Sequence, residues 1–271
     1  MSKNNINDIW RVWESSVQYG EMLYNRAIGQ APEMESSKAV AKALVGIIQP
    51  GSRVLDVGCG AGHYLRSLRK QYKFQFSYFG IDATMPYIEL AKKAFEHDAD
   101  ALFQVDDIYN LSLTDQSFDI VLCNNLLLHL PSIVQPIREL WRVTGSTLLI
   151  RSMVGENSFR IQQIPEWEQN IQEDTKISEK DPLFDENGEA LRFHYFNIYS
   201  SAYIEWCFQN LRGVENLHIW PDQDFSNDAF STDDWPEYDK PKNITKVIAG
   251  LQVNGYILEP WAFIRADRRR I

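Results

Sequence analysis

An aspartate at position 56 stands two residues ahead of a glycine-rich run, Gly58-Cys59-Gly60-Ala61-Gly62-His63, within the stretch VLDVGCGAGHY (54–64). Glycine-rich turns joining a strand to a helix hold phosphates well, because backbone N–H groups and the helix N-terminus point at an anion. A carboxylate directly before such a turn would repel a pyrophosphate. The dinucleotide pattern G-x-G-x-x-G/A also wants a small residue where His63 stands. The spacing suits a ligand with a positive charge and no phosphate. Asp56 can accept from an ammonium, directly or through water, while the glycines let the backbone come close.

Two further carboxylates extend this pattern. Asp82 ends the apolar stretch FSYFGID, where a carboxylate is placed to accept both hydroxyls of a ribose. In VDDIYNL, Asp107 and the backbone of Ile108 are placed to read an adenine amino edge. An aminoacyl nucleoside with a free diol matches all three positions.

Strands and helices must carry these residues. RVLDVG, FSYFGID, ALFQVDD, SFDIVLCNNLLL and STLLIRSM read as strands, and HYLRSLRKQY, TMPYIELAKKAFEH and SIVQPIRELWRV as the helices between them. Thr84 is placed as an N-cap and Pro86 in the first turn of its helix. Strands alternating with helices imply parallel βαβ units, whose ligand crevice lies at the carboxyl ends of the strands. Residues 5–48 read as helices, with Pro32 suited to a first turn. After Val154 the chain becomes acidic and poorly periodic. A helix over YSSAYIEWCFQNL, a strand VENLHIW, a second acidic loop and a closing strand GYILEPWAFIRA follow.

With these pieces in order, the sequence resembles the class I S-adenosylmethionine-dependent methyltransferases. VLDVGCGAGHY is similar to their first motif, GIDATMPYIELAKK to their ribose-binding strand and helix, and VDDIYNLSLTDQSFDIVLCNNLLLHLP to their adenine-binding and fourth-strand motifs. The resemblance covers about residues 50–152. It implies an α/β, doubly wound, mostly parallel seven-stranded sheet with an antiparallel last strand, N-terminal helices and an inserted cap. It also implies S-adenosyl-L-methionine as cofactor. Asp56, Gly58 and Gly60 would line its methionine part, Asp82 its ribose, Asp107 and Ile108 its adenine, and Asn124 the wall beside the sulfonium. Asp106 is an alternative to Asp107, and Cys59 and Ala83 belong to the same set. Tyr24 and Arg26 would reach the cofactor carboxylate from the N-terminal helix, although no motif fixes them.

On the acceptor side the candidates are His194 and Tyr195, at the far end of the acidic insert, and His129 in LLLHLP. Each has a structural alternative: a surface histidine at 194, and helix capping or packing at 129. His63 is expected to orient the turn by local hydrogen bonding, and Cys59 to be only a small side chain in a crowded corner. The stripe Tyr199, Tyr203 and Trp206 reads as core.

Net charge is −10, from 37 acidic and 27 basic residues, so a polyanionic partner is repelled at long range. No apolar run approaches a membrane span, the N-terminus lacks a signal-peptide pattern, and three scattered cysteines make no disulfide framework. The expectation is a cytoplasmic enzyme with a small-molecule acceptor and with no metal, nucleic acid or membrane partner. The organisation expected is N-terminal helices at 1–49, a cofactor-binding core at 50–154, a lid at 155–197 and completion of the sheet at 198–271. Methyl transfer to a hydroxyl or amine is the expected reaction. A tRNA methyltransferase and a non-catalytic cofactor-binding module are the alternatives.

Overall fold

The computed structural model describes residues 17–164, 184–191, 193–223, 246–248, 251–254 and 257–269. Two helices, α1 (Val17–Ile28) and α2 (Glu35–Ala43), precede the sheet. Alternation follows: β1 (Arg53–Val57), α3 (His63–Gln71), β2 (Ser77–Asp82), α4 (Met85–Ala94), β3 (Ala101–Val105), β4 (Phe118–Asn124), a 3-10 turn (Leu127–His129), α5 (Val134–Val143) and β5 (Thr144–Gly155). Beyond it come β6 (Gln162–Gln163), β7 (His194–Tyr195), β8 (Tyr199–Ser200), α6 (Ser201–Gln209), β9 (Val214–Pro221), β10 (Lys246–Ile248), β11 (Leu251–Asn254), β12 (Ile257–Glu259) and β13 (Trp261–Arg268).

The main sheet runs β3-β2-β1-β4-β5-β13-β9, with the short β8 attached to β5. Strands β1 to β5 pair in parallel, and β13 is antiparallel to both β5 and β9. This is the expected doubly wound sheet with its antiparallel last strand. Burial on both faces explains why β1 is apolar without a break after Arg53, apart from Asp56. Leu55 and Val57 pack with Ile137 and Leu140 of α5, and Val54 packs on the other face with Leu65 and Leu68 of α3. Strand order reverses direction at β1, between β2 and β4, and the crevice opens there.

Several boundaries differ from expectation for local reasons. The helix expected from Tyr199 begins at Ser201, because Ser200 Oγ accepts the Tyr203 N–H at 3.2 Å and Tyr199 is drawn into pairing with Val154. Tyr199 and Tyr203 pack on the core as expected, but Trp206 is 49% exposed. Pro32 precedes α2 instead of lying in its first turn. Pro260 divides GYILEPWAFIRA into β12 and β13, since proline has no N–H for the ladder. Thr84 occupies the N-cap of α4, yet its side chain makes no capping bond.

The insert begins and ends as an antiparallel ribbon, with Gln162 opposite Tyr195 and Phe159 bridged to Ile198. The centre of the expected lid, 165–183, residues 224–243 of the second acidic loop and the N-terminal stretch 5–16 lie outside the described residues. Among the described residues no helix is long and apolar enough to cross a membrane.

Candidate active site

A cavity of about 170 Å³ lies at the carboxyl ends of β1 to β4. Gly58, Gly60, Asp82, Ala83, Asp106, Asp107, Ile108, Asn124 and His129 line it, and so bring together most of the expected set. Gly58 and Gly60 have φ of 80° and 54°. A side-chain carbon on Gly58 would meet Leu126 at 2.8 Å, and one on Gly60 would meet Leu23 at 2.7 Å. The corner accepts only glycine because the cavity wall presses against it.

Asp82 organises this corner. Its Oδ2 accepts the Gly60 N–H at 2.9 Å and its Oδ1 accepts the Thr84 N–H at 2.9 Å. The carboxylate thus ties the turn after β1 to the start of α4 while it lines the cavity. The two acidic neighbours at the end of β3 divide differently. Asp106 Oδ1 accepts the Asp107 N–H at 2.9 Å, and Oδ2 accepts the N–H and hydroxyl of Ser112 at 3.0 and 2.9 Å. Both Asp106 oxygens therefore staple the loop. Asp107 uses Oδ1 for the Tyr109 N–H at 2.9 Å.

Asp56 and Cys59 lie beneath the turn and do not line the cavity. Direct contact between Asp56 and a ligand ammonium is therefore not what this geometry offers. The Tyr78 hydroxyl donates to Asp56 Oδ2 at 2.5 Å. Burial pushes the Asp56 carboxyl up to about 7, against the lowering effect of the Tyr78 bond. Burial also raises the Cys59 thiol well above its ordinary range, as fits an inert side chain in a crowded corner.

On α1, Tyr24 does not line the cavity, and Lys93 sits over its ring at 5.2 Å from the centroid. Arg26 also stands outside the lining, but its Nη1 is buried without a hydrogen-bond partner, as is Nδ1 of the cavity residue His63. Burial, with the Arg26 charge beside it, lowers His63 to about 3.

The acceptor candidates are rearranged. His129 lines the cavity, whereas His194 and Tyr195 stand behind it. His129 Nδ1 lies 2.7 Å from the Tyr195 carbonyl oxygen, and its ring centroid is 5.9 Å from that of His194. His194 is buried, not on the surface, with Nε2 3.0 Å from Gln163 Oε1. Arg160 Nη2 donates to the Tyr195 hydroxyl at 2.7 Å and its guanidinium lies over the Tyr195 ring. Burial lowers both histidines to about 4. Tyr19, Leu23, Met34, Tyr64, Tyr87 and Tyr109 also line the cavity and were not legible as site residues. Amphipathic spacing in α1 would have marked only a covered face.

The donor set fits an S-adenosylmethionine-like ligand on an internal observation. Asn124 is 5% exposed and lines the cavity, yet neither its Oδ1 nor its Nδ2 has a hydrogen-bond partner. Such unpaired groups are costly unless a ligand completes them.

Residues 48–195 match the family model described as a methyltransferase domain, more than half of the chain. The chain belongs to the S-adenosylmethionine-dependent methyltransferase family. It is 37% identical over 105 residues to 2-methyl-6-phytyl-1,4-hydroquinone methyltransferase of Synechocystis sp., which covers 38% of this chain and 32% of that protein. It is 27% identical over 177 residues to phosphoethanolamine N-methyltransferase 1 of Arabidopsis thaliana, covering 55% and 34%. The chain thus spans about a third of the length of these curated relatives. A solved SAM-dependent methyltransferase from Methanosarcina mazei shares the fold at a TM-score of 0.50 and 18% identity, over 83% of this chain and 96% of that one. S-adenosylmethionine is the family's cofactor.

Proposed function

We propose that this chain transfers a methyl group from S-adenosylmethionine to the hydroxyl or amine of a small molecule. One observation carries the proposal: a single cavity runs from the carboxylates Asp82 and Asp107, past the unpaired amide of Asn124, to His129. Asp82 would hold the ribose, Asp107 and the Ile108 backbone the adenine, and Gly58 and Gly60 would flank the methionine part. The unpaired Arg26 Nη1 would take the carboxylate, and Asn124 would wall the sulfonium. The bound cofactor supplies an activated methyl and its leaving group. The chain's own task is to align an acceptor, exclude water and accept a proton.

A hydroquinone in one relative's name and phosphoethanolamine in another's support a small acceptor bearing a hydroxyl or an amine. The net charge of −10 supports it against a nucleic acid.

Thermal unfolding with S-adenosylhomocysteine tests the cofactor half. A ligand at 100 times its Kd stabilises by about 2.7 kcal/mol, which appears as a raised Tm. No shift at millimolar ligand overturns it. A panel of phenols, catechols and amines with isotopically labelled S-adenosylmethionine tests the acceptor half. Transfer to tRNA alone would replace the small molecule with nucleic acid.

A further inference from the structure

The strand that closes the insert is sewn to the turn that carries His129. Asn197, 2% exposed, makes most of the stitches. Its N–H donates to the Leu128 carbonyl at 2.9 Å, and its Nδ2 donates to the Leu130 carbonyl at 3.0 Å. Its Oδ1 accepts the Ile161 N–H at 3.3 Å from the outgoing strand of the ribbon. One side chain thus joins the 127–130 turn, the outgoing strand and the returning strand.

Two residues earlier, the Tyr195 carbonyl faces His129 Nδ1 at 2.7 Å. A carbonyl oxygen only accepts, so Nδ1 carries the hydrogen and the lone pair of the neutral ring sits on Nε2. A solvated imidazole prefers the opposite tautomer. The ring is otherwise enclosed by His194, whose centroid is 5.9 Å away, and by Phe196 at 6.1 Å. Burial favours the neutral ring.

We propose that Asn197 is a positioning residue for His129. It holds the Tyr195 carbonyl against Nδ1, fixes the Nδ1–H tautomer, and so makes Nε2 the atom that receives the acceptor's proton. This rests on the methyltransferase reading above. As the acceptor's lone pair forms its bond to the methyl carbon, the carbon–sulfur electron pair stays on sulfur. The acceptor's proton joins the Nε2 lone pair, leaving an imidazolium whose Nδ1–H still donates to Tyr195. The closing strand of the insert thereby sets the chemistry of a residue on the core.

The test is a two-bond 1H–15N correlation spectrum of histidine-labelled full-length protein at pH 7, with His129→Gln to assign the signal. The wild type is expected to show His129 as the Nδ1–H tautomer. Asn197→Ala should mix the tautomers and, because the Tyr195 carbonyl raises His129 against the lowering by burial, move its titration further down from about 4. Asn197→Asp, which keeps the side-chain size and the acceptor for Ile161, serves the same purpose if the alanine variant does not fold. An Nε2–H tautomer in the wild type overturns the proposal. So does a variant with lowered Tm but an unchanged His129 tautomer and titration, since that marks a merely structural asparagine. Calorimetry with S-adenosylhomocysteine on the same samples tests the methyltransferase reading separately. Failure to bind overturns that reading whatever the tautomer.

Discussion

Asp82 Oδ2 accepts the backbone N–H of Gly60 at 2.9 Å, across 22 residues of sequence. The ribose-binding candidate and the glycine turn are therefore one mechanical unit. Its second oxygen accepts the Thr84 N–H at the start of α4, so one cavity-lining side chain ties both segments. Asp82→Ala should weaken S-adenosylhomocysteine binding by about 2 kcal/mol, roughly thirtyfold, through loss of charge-assisted bonds. The ligand-free Tm should fall as well, because Gly60 and Thr84 lose their acceptor. Calorimetry and thermal unfolding read the two effects independently. Unchanged affinity with a lowered Tm would leave Asp82 a structural tie alone.

Asn124 separates function from stability in the opposite direction. Its amide is buried with both polar atoms unpaired, a situation that costs about 1–3 kcal/mol per group. Asn124→Leu, similar in size and apolar, should leave the ligand-free protein as stable as before or more so. Its affinity for S-adenosylhomocysteine should fall by about tenfold. A variant both less stable and fully competent to bind would remove Asn124 from the site.

Two candidates on α1 are distinguished by what surrounds them. Tyr24 stacks under Lys93 outside the cavity, while Arg26 keeps a buried Nη1 without an acceptor beside His63. Arg26→Gln should lower cofactor affinity by about tenfold, and Tyr24→Phe should not change it. Unchanged affinity in Arg26→Gln would show that its guanidinium does not meet the ligand's carboxylate.

The sheet and the cofactor crevice were legible because they rest on local signals. A glycine run whose backbone needs positive φ, and carboxylates at the ends of β2 and β3, mark positions that chain direction alone brings together. Asp56 was expected to accept from a ligand ammonium directly or through water, and sequence gives its position on β1 but not its face. Here it points to Tyr78 beneath the turn. On the acceptor side, sequence placed His194 and Tyr195 toward the acceptor and gave His129 packing or capping as its alternative. Their ranking depends on a ribbon closed between residues 159–163 and 194–198, a long-range pairing that no periodicity announces. Asn197 escaped notice for the same reason. An isolated asparagine between Phe196 and Ile198 signals nothing until its three backbone partners are known.

Buried titratable groups set the last prediction, the dependence of stability on pH. Burial holds His63 near 3 and His129 and His194 near 4, all below the unfolded value of about 6.5. Below pH 6.5 the unfolded chain takes up protons that these three neutral rings refuse, so their contribution favours unfolding as pH falls. Asp56 acts the other way. Its folded value of about 7 exceeds the unfolded value of 3.8, so between those limits the folded state holds the extra proton and gains stability on acidification. Three histidines outnumber Asp56 and Glu259, the two carboxyls that burial raises, so stability should decline from pH 6.5 to 4.5. Asp56→Asn removes one of the two opposing groups and should make that decline steeper. Urea unfolding at half-unit pH intervals measures both slopes. A wild-type stability that is flat or rises on acidification would mean that the histidines are not held neutral. An Asp56→Asn slope equal to the wild-type one would mean that Asp56 is already ionised in the fold.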